Sequence, residues 1–143
     1  MTIKCTNQPF LVLMHTSKVI EERIRDQMVK NNLNITEFSV LEVLYHKGRQ
    51  TIQQIGKSIL ITSSSMTYVI DKLEQKCLLN RIPCPEDRRV IHVELTKDGN
   101  DLMEKIMPNH HELIDDMFGF LNSNESQMLV DLLKKVRKRA ENI

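Results

Sequence analysis

Apolar residues fall at Met66, Val69, Ile70, Leu73 and Cys77, a stripe at helical spacing. The opposite side carries Ser64, Tyr68, Asp71 and Gln75, flanked by Ser65, Thr67 and Lys72. Just ahead, Thr62, Ser63, Ser64 and Ser65 offer oxygens to the unpaired N–H groups of a first turn, which predicts a helix start. Two short β-prone runs follow, Leu79–Pro83 and Val90–Leu95. The loop between them holds Pro85, Asp87, Arg88 and Arg89.

Upstream, Leu13, Ile20, Ile24 and Met28 share one face of a helix running from about Pro9 to Asn31. Phe10, Leu11 and Met14 widen its apolar surface, and Pro9 suits a first turn. Asn31, Asn32 and Asn34 mark a turn, with Thr36 as the expected cap of a helix from Glu37 to Lys47. Its inward stripe is Phe38, Leu41, Leu44 and Tyr45, and Gly48 stands where such helices end. Thr51–Ser58 predicts a short helix with Ile52, Ile55 and Ile59 inward, and Leu60–Thr62 a tight turn. Two helices joined by such a turn make a helix-turn-helix unit.

Downstream, Thr96 is placed to cap a long helix from Lys97 with Leu102, Ile106, Leu113, Ile114 and Met117 on its apolar side. Pro108 is expected to kink or break it. Gly119–Ser123 forms a turn, and Asn122 with Glu125 makes a capping box for a last helix. That helix carries Leu129, Leu132, Leu133, Val136 and Ala140 inward among five basic residues, Lys134, Lys135, Arg137, Lys138 and Arg139.

The expected fold is mainly α with a small β-hairpin wing: a winged helix-turn-helix with N- and C-terminal dimerisation helices. One domain spans residues 1–143, with a DNA-binding lobe at about 36–96 and helical dimerisation regions at about 9–31 and 97–143. The outer helices have apolar faces that a symmetric homodimer would cover. A helix with a polar outer face beside a basic-tipped hairpin points to sequence-specific binding of double-stranded DNA, as a repressor.

Composition narrows the mode of binding. The net charge is only +1, so DNA affinity must come from a local patch, doubled in a dimer on a palindromic operator. The 4% of aromatic residues and the absence of Trp argue against a stacking platform for single strands. No stretch approaches the ~18 apolar residues of a membrane span, and the expected location is the cytoplasm. Three cysteines without close pairing make no disulfide framework. There is no glycine-rich phosphate loop, G-x-S-x-G or H-E-x-x-H, so neither catalysis nor a cofactor is expected. His110 and His111 are adjacent and lack the spacing of a helical metal pair. They are expected to be solvated, with no metal site.

The segments TEFSVLEVLYHKG, IQQIGKSI, SSSMTYVIDKLEQKCLL and DRRVIHVELTKDG together resemble the MarR family of dimeric winged-helix regulators. Asp87 and Arg89, followed by Leu95-Thr96-x-x-Gly99, are the most diagnostic part. The block from Leu41 to Arg89 is most similar to the quinone- and catechol-responsive, MhqR-like branch. The resemblance implies that the helix from Ser63 to Lys76 enters the major groove with Ser63, Ser64, Ser65, Thr67, Tyr68 and Lys72. It also implies that Arg89, oriented by Asp87, reaches the minor groove, with Arg88 and Arg81 on phosphate.

The resemblance further implies a small aromatic effector, with Met14, His15, Phe38, Tyr45, Met103 and Met107 as the candidate lining. Some family members instead sense oxidants through a cysteine at the start of the first helix, where this chain has Pro9. Thiol sensing would fall to Cys5 or to Cys84, which stands near Arg88 and Arg89. The alternative class is a winged-helix protein-interaction module. Such a module would favour exposed apolar residues over arginines at the wing.

Overall fold

In a computed structural model of the chain, residues 4–59 and 63–143 are described. The elements run α1 (Gln8–Val29), α2 (Ile35–Lys47), β1 (Gln50–Thr51), α3 (Ile52–Ile59), α4 (Ser63–Gln75), β2 (Leu79–Pro83), β3 (Ile91–Leu95), α5 (Lys97–Phe118) and α6 (Ser123–Glu141). The fold is mainly α with a small antiparallel wing. It divides into two compact units, Met1–Ile106 and Met107–Ile143.

In the first unit, α1 starts at Asn7, whose side chain accepts from the Phe10 N–H at 2.9 Å. Pro9 lies in the first turn as expected, where a missing N–H removes no helical bond. Leu13, Ile20 and Ile24 are half-buried and Met28 is buried, so the expected face is the one that packs. The next cap differs from the expected Thr36. Asn34 closes a reciprocal box with Glu37, its side chain accepting from the Glu37 N–H at 2.7 Å while Glu37 accepts from the Asn34 N–H at 3.0 Å. Asn34 wins because it stands three residues before a Glu, the spacing that satisfies two end groups at once.

Glu37 has a second task. Its side chain is only 6% exposed, and its other oxygen pairs with Lys76 Nζ at 2.9 Å. Lys76 also donates to the Asn32 carbonyl at 2.8 Å, tying the start of α2 to the chain just past α4. Removing the lysine leaves a buried carboxylate without its cation. Lys76→Met is therefore expected to lower unfolding stability by about 1–2 kcal/mol, less than a fully buried pair because Lys76 stays in contact with water. Urea titration checks it; an unchanged midpoint would show that the pair contributes nothing.

The three helices α2, α3 and α4 pack on one another. Phe38, Val40, Leu41 and Leu44 from α2 are buried, as are Ile55 from α3 and Met66, Val69, Ile70 and Leu73 from α4. Thr51 heads α3 with a box of its own: its Oγ1 accepts from the Gln54 N–H at 3.0 Å, and its N–H donates to Gln54 Oε1 at 2.9 Å. The expected turn at Leu60–Thr62, with the Thr62 cap, lies outside the described residues.

Cys77 does not continue the α4 stripe. The helix ends at Gln75, and Cys77 is exposed with a left-handed φ of 62°. The Leu78 N–H reaches back to the Leu73 carbonyl at 3.0 Å and the Cys77 N–H to that of Glu74 at 2.9 Å, closing the helix end. The chain then enters a sheet of three strands rather than a lone hairpin, in the order β1-β3-β2. β2 pairs with β3 from Leu79 opposite Leu95 to Pro83 opposite Ile91, and Gln50 and Thr51 pair with Val93 and His92. The second strand begins at Ile91, one residue after the expected Val90.

Thr96 caps α5 as expected. Its hydroxyl accepts from the Gly99 N–H at 3.0 Å and donates to the Cys77 carbonyl at 2.7 Å, while its own N–H donates to the Leu78 carbonyl at 3.1 Å. The start of α5 is thereby fixed to the end of α4.

Helix α5 runs unbroken through Pro108, so of the expected kink or break, the break does not occur. Proline removes one N–H and crowds one carbonyl, and the flanking helical bonds outlast that loss. The second unit holds the rest of α5, the turn after Phe118 and α6, whose Asn122–Glu125 box has both of its expected bonds, at 2.9 and 3.0 Å. His110 is buried, contrary to the solvated histidine expected, while His111 is exposed. The inward stripe expected on α6 is not buried within one chain: Leu132, Leu133, Val136 and Ala140 are exposed and Leu129 is half-buried. No helix among the described residues is long and apolar enough to cross a membrane.

Candidate nucleic-acid interface

With Met66, Val69, Ile70 and Leu73 buried, helical geometry turns Ser65, Thr67, Tyr68, Asp71 and Lys72 outward, and all of them are exposed. Tyr68 is 64% exposed, with Lys72 Nζ 5.6 Å from its ring centroid. A cation so placed is drawn to the ring face and keeps its donors available. Ser63 opens the helix; its side chain and that of Ser64 are not among the described groups.

The wing loop is ordered by its own polar groups. The Cys84 N–H donates to the Val90 carbonyl and the Val90 N–H to that of Asp87, both at 3.1 Å. Asp87 Oδ1 accepts from the Arg89 N–H at 3.0 Å and from its Nε at 3.3 Å. The Arg89 side chain is 91% exposed, and both of its terminal nitrogens are without a partner among the described residues. Arg88 is exposed beside it. Asp87 thus holds both the backbone and the side chain of Arg89.

Arg81 is placed otherwise. Its guanidinium is held by Asp71 and Glu74 of α4 and is 24% exposed. Sequence reasoning missed both carboxylates because they come from another element; their i, i+3 spacing on α4 was the available signal.

The remaining candidates come from several elements. Met14 and His15 are exposed on α1, Tyr45 is half-buried and Phe38 buried on α2, and Met103 is buried on α5. Met107 is buried and belongs to the second unit. Cys5 is exposed and Cys84 half-buried, both free thiols. Among the described residues no group of three His, Cys, Asp or Glu is placed to hold a metal ion.

A family model described as the MarR family matches residues 33–91, the stretch from α2 to the wing. The chain is also 46% identical over 132 residues to the HTH-type transcriptional regulator MhqR of Bacillus subtilis (strain 168), covering 92% of this chain and 91% of that one. The chain belongs to the MarR family. Within that family it is a transcriptional regulator of the MhqR-like branch. Among solved structures, AbsC, a MarR family transcriptional regulator from Streptomyces coelicolor, matches in fold with a TM-score of 0.89 at 18% identity over 99% of this chain and 100% of that one. Bordetella bronchiseptica BpsR, from work on regulation of its DNA binding by 6-hydroxynicotinic acid, matches with a TM-score of 0.81 at 27% identity, covering 92% and 99%.

Proposed function

We propose that this MarR-family protein is a homodimeric repressor that binds a palindromic operator in double-stranded DNA and is released by a small phenolic or quinone-type effector. The observation that carries the reading is the pairing of two surfaces: the polar outer face of α4 and a wing whose Arg89 is held by Asp87 through its backbone N–H and Nε, with the side chain 91% exposed. The first fits the donor and acceptor pattern of major-groove base edges. The second suits a narrow minor groove, where negative potential is enhanced and an arginine fits. Arg88 adds a cation for phosphate at the same tip.

The homodimer is supported by apolar side chains that one chain leaves in water. Phe10, Leu11 and Met14 are exposed on α1, and Leu132, Leu133 and Val136 on α6. Burying them against a second copy recovers hydrophobic free energy and supplies two recognition helices for two half-sites. The effector reading is supported by the MhqR-like placement and by BpsR, whose DNA binding is regulated by 6-hydroxynicotinic acid. Met14, His15 and Tyr45 are the accessible members of its candidate lining, while Phe38, Met103 and Met107 are buried. A ligand relieves repression if it prefers, by a few kcal/mol, a dimer whose recognition helices are wrongly spaced. MhqR and AbsC are both transcriptional regulators, and no catalytic step is assigned to this chain.

The test is selection of bound sequences from a random duplex library, followed by fluorescence anisotropy at several salt concentrations. The expected result is one enriched palindrome, bound in the presence of unrelated competitor DNA with a steep salt dependence, by a particle that sediments as a dimer. Salicylate, catechol and hydroquinone added to the complex are expected to release it in at least one case. No enriched sequence would overturn the DNA reading and favour a protein-interaction module. An enriched sequence with no release would overturn the effector alone.

A further inference from the structure

Arg81 lies on β2 opposite Val93, and its side chain reaches the C-terminal half of α4. One terminal nitrogen donates to Glu74 Oε1 at 2.8 Å and the other to Asp71. The Arg81 backbone N–H donates to the second Glu74 oxygen at 3.4 Å, so both oxygens of that carboxylate answer to one residue. Burial works against the charge, but the hydrogen bonds and attraction of Asp71 and Glu74 outweigh it and raise the pKa above the ordinary arginine value. Arg81 is thus a permanent cation with both arms committed inside the protein.

Asp71 and Glu74 are 50% and 41% exposed, and Asp71 shares its helix face with Tyr68. A polyanion brought to that face meets two carboxylates, whose repulsion of phosphate would oppose docking. The geometry points to Arg81 as a residue that serves DNA binding through its neighbours: it neutralises Asp71 and Glu74 on the recognition helix, without itself contacting phosphate. The inference rests on the DNA-binding reading above. It explains how a helix with two acidic residues near its exposed face can serve a chain whose net charge is only +1.

The test uses the full-length protein and the duplex enriched by selection, with anisotropy measured across a range of salt. Arg81→Met is expected to weaken binding about 10- to 100-fold, because two like charges then face the backbone. The triple variant Arg81→Met, Asp71→Asn, Glu74→Gln removes cation and carboxylates together. It is expected to recover most of the affinity that Arg81→Met loses, with the salt dependence of the wild type. If Arg81 touched phosphate itself, the triple variant would remain as weak as the single one. Its salt slope would also fall by about one per half-site, and that result overturns the proposal. Undiminished binding by a folded Arg81→Met protein overturns it equally. If the single variant does not fold, the triple decides alone, since it leaves no unpaired charge behind. Wild-type protein in the same cuvette separates this proposal from the function it rests on: a wild type that finds no specific duplex defeats the function, whereas a tight wild type beside a weak triple variant defeats only the role of Arg81.

Discussion

Replacing Gly99 with alanine is expected to cost the fold about 3 kcal/mol or more. A Cβ at this position would stand 2.0 Å from the Leu78 carbonyl oxygen and 3.0 Å from its carbon, with Leu95 Cδ2 at 3.3 Å. The obstacle is backbone, and that backbone is not free to yield. The Leu78 carbonyl accepts from the Thr96 N–H, the Leu78 N–H donates back to Leu73, and Thr96 bonds both Cys77 and Gly99. Relieving the clash means parting the start of α5 from the end of α4, where several hydrogen bonds close at once. Thermal and urea unfolding of Gly99→Ala are expected to show a large drop in midpoint. A Gly99→Ala protein as stable as the wild type would mean that the two helix ends separate easily. The Leu-Thr-x-x-Gly motif would then have no packing reason.

That junction also shows what the sequence made legible and what it hid. The Thr96 cap, the Asn122–Glu125 box and the Met66–Leu73 stripe were readable because each is local, a pattern repeating within a turn or two of helix. The wing tip was readable for the same reason, since Asp87 and Arg89 are two residues apart. Interactions that join distant segments left no such trace. Glu37 looks like a first-turn acid on its own helix, and nothing near it announces Lys76. Arg81 reads as a solvated or phosphate-binding cation until the fold brings Asp71 and Glu74 beside it. Strand β1 is only Gln50–Thr51, too short to alternate, and exists because β3 offers an edge. Cys77 continued a periodic stripe on paper, but the helix had already closed, and periodicity alone does not say where a helix stops. On α6 the pattern gave the apolar face correctly, and within one chain that face is exposed, as a face awaiting a second copy would be.

The second large effect is expected at Arg89. Two arginines of the wing region are used in opposite ways: Arg81 commits both terminal nitrogens to α4, while Arg89 commits only its Nε and backbone N–H to Asp87. Arg89→Ala is expected to weaken binding to the selected duplex by about 1–3 kcal/mol per wing. If each wing of a dimer meets its own half-site, the losses should add, to about 2–6 kcal/mol in all. Stability should change by no more than about 0.5 kcal/mol, because the side chain is 91% exposed. Asp87→Ala separates orientation from charge. It makes the wing more positive, so a purely electrostatic wing would bind DNA more tightly. If Asp87 acts by holding the loop and the arginine in place, binding weakens despite the added charge, by about 1 kcal/mol per wing from lost ordering. Anisotropy at matched salt decides between them. A folded Arg89→Ala protein with undiminished affinity would remove the wing tip from the interface, and tighter binding by Asp87→Ala would leave Arg89 as a charge without a fixed direction.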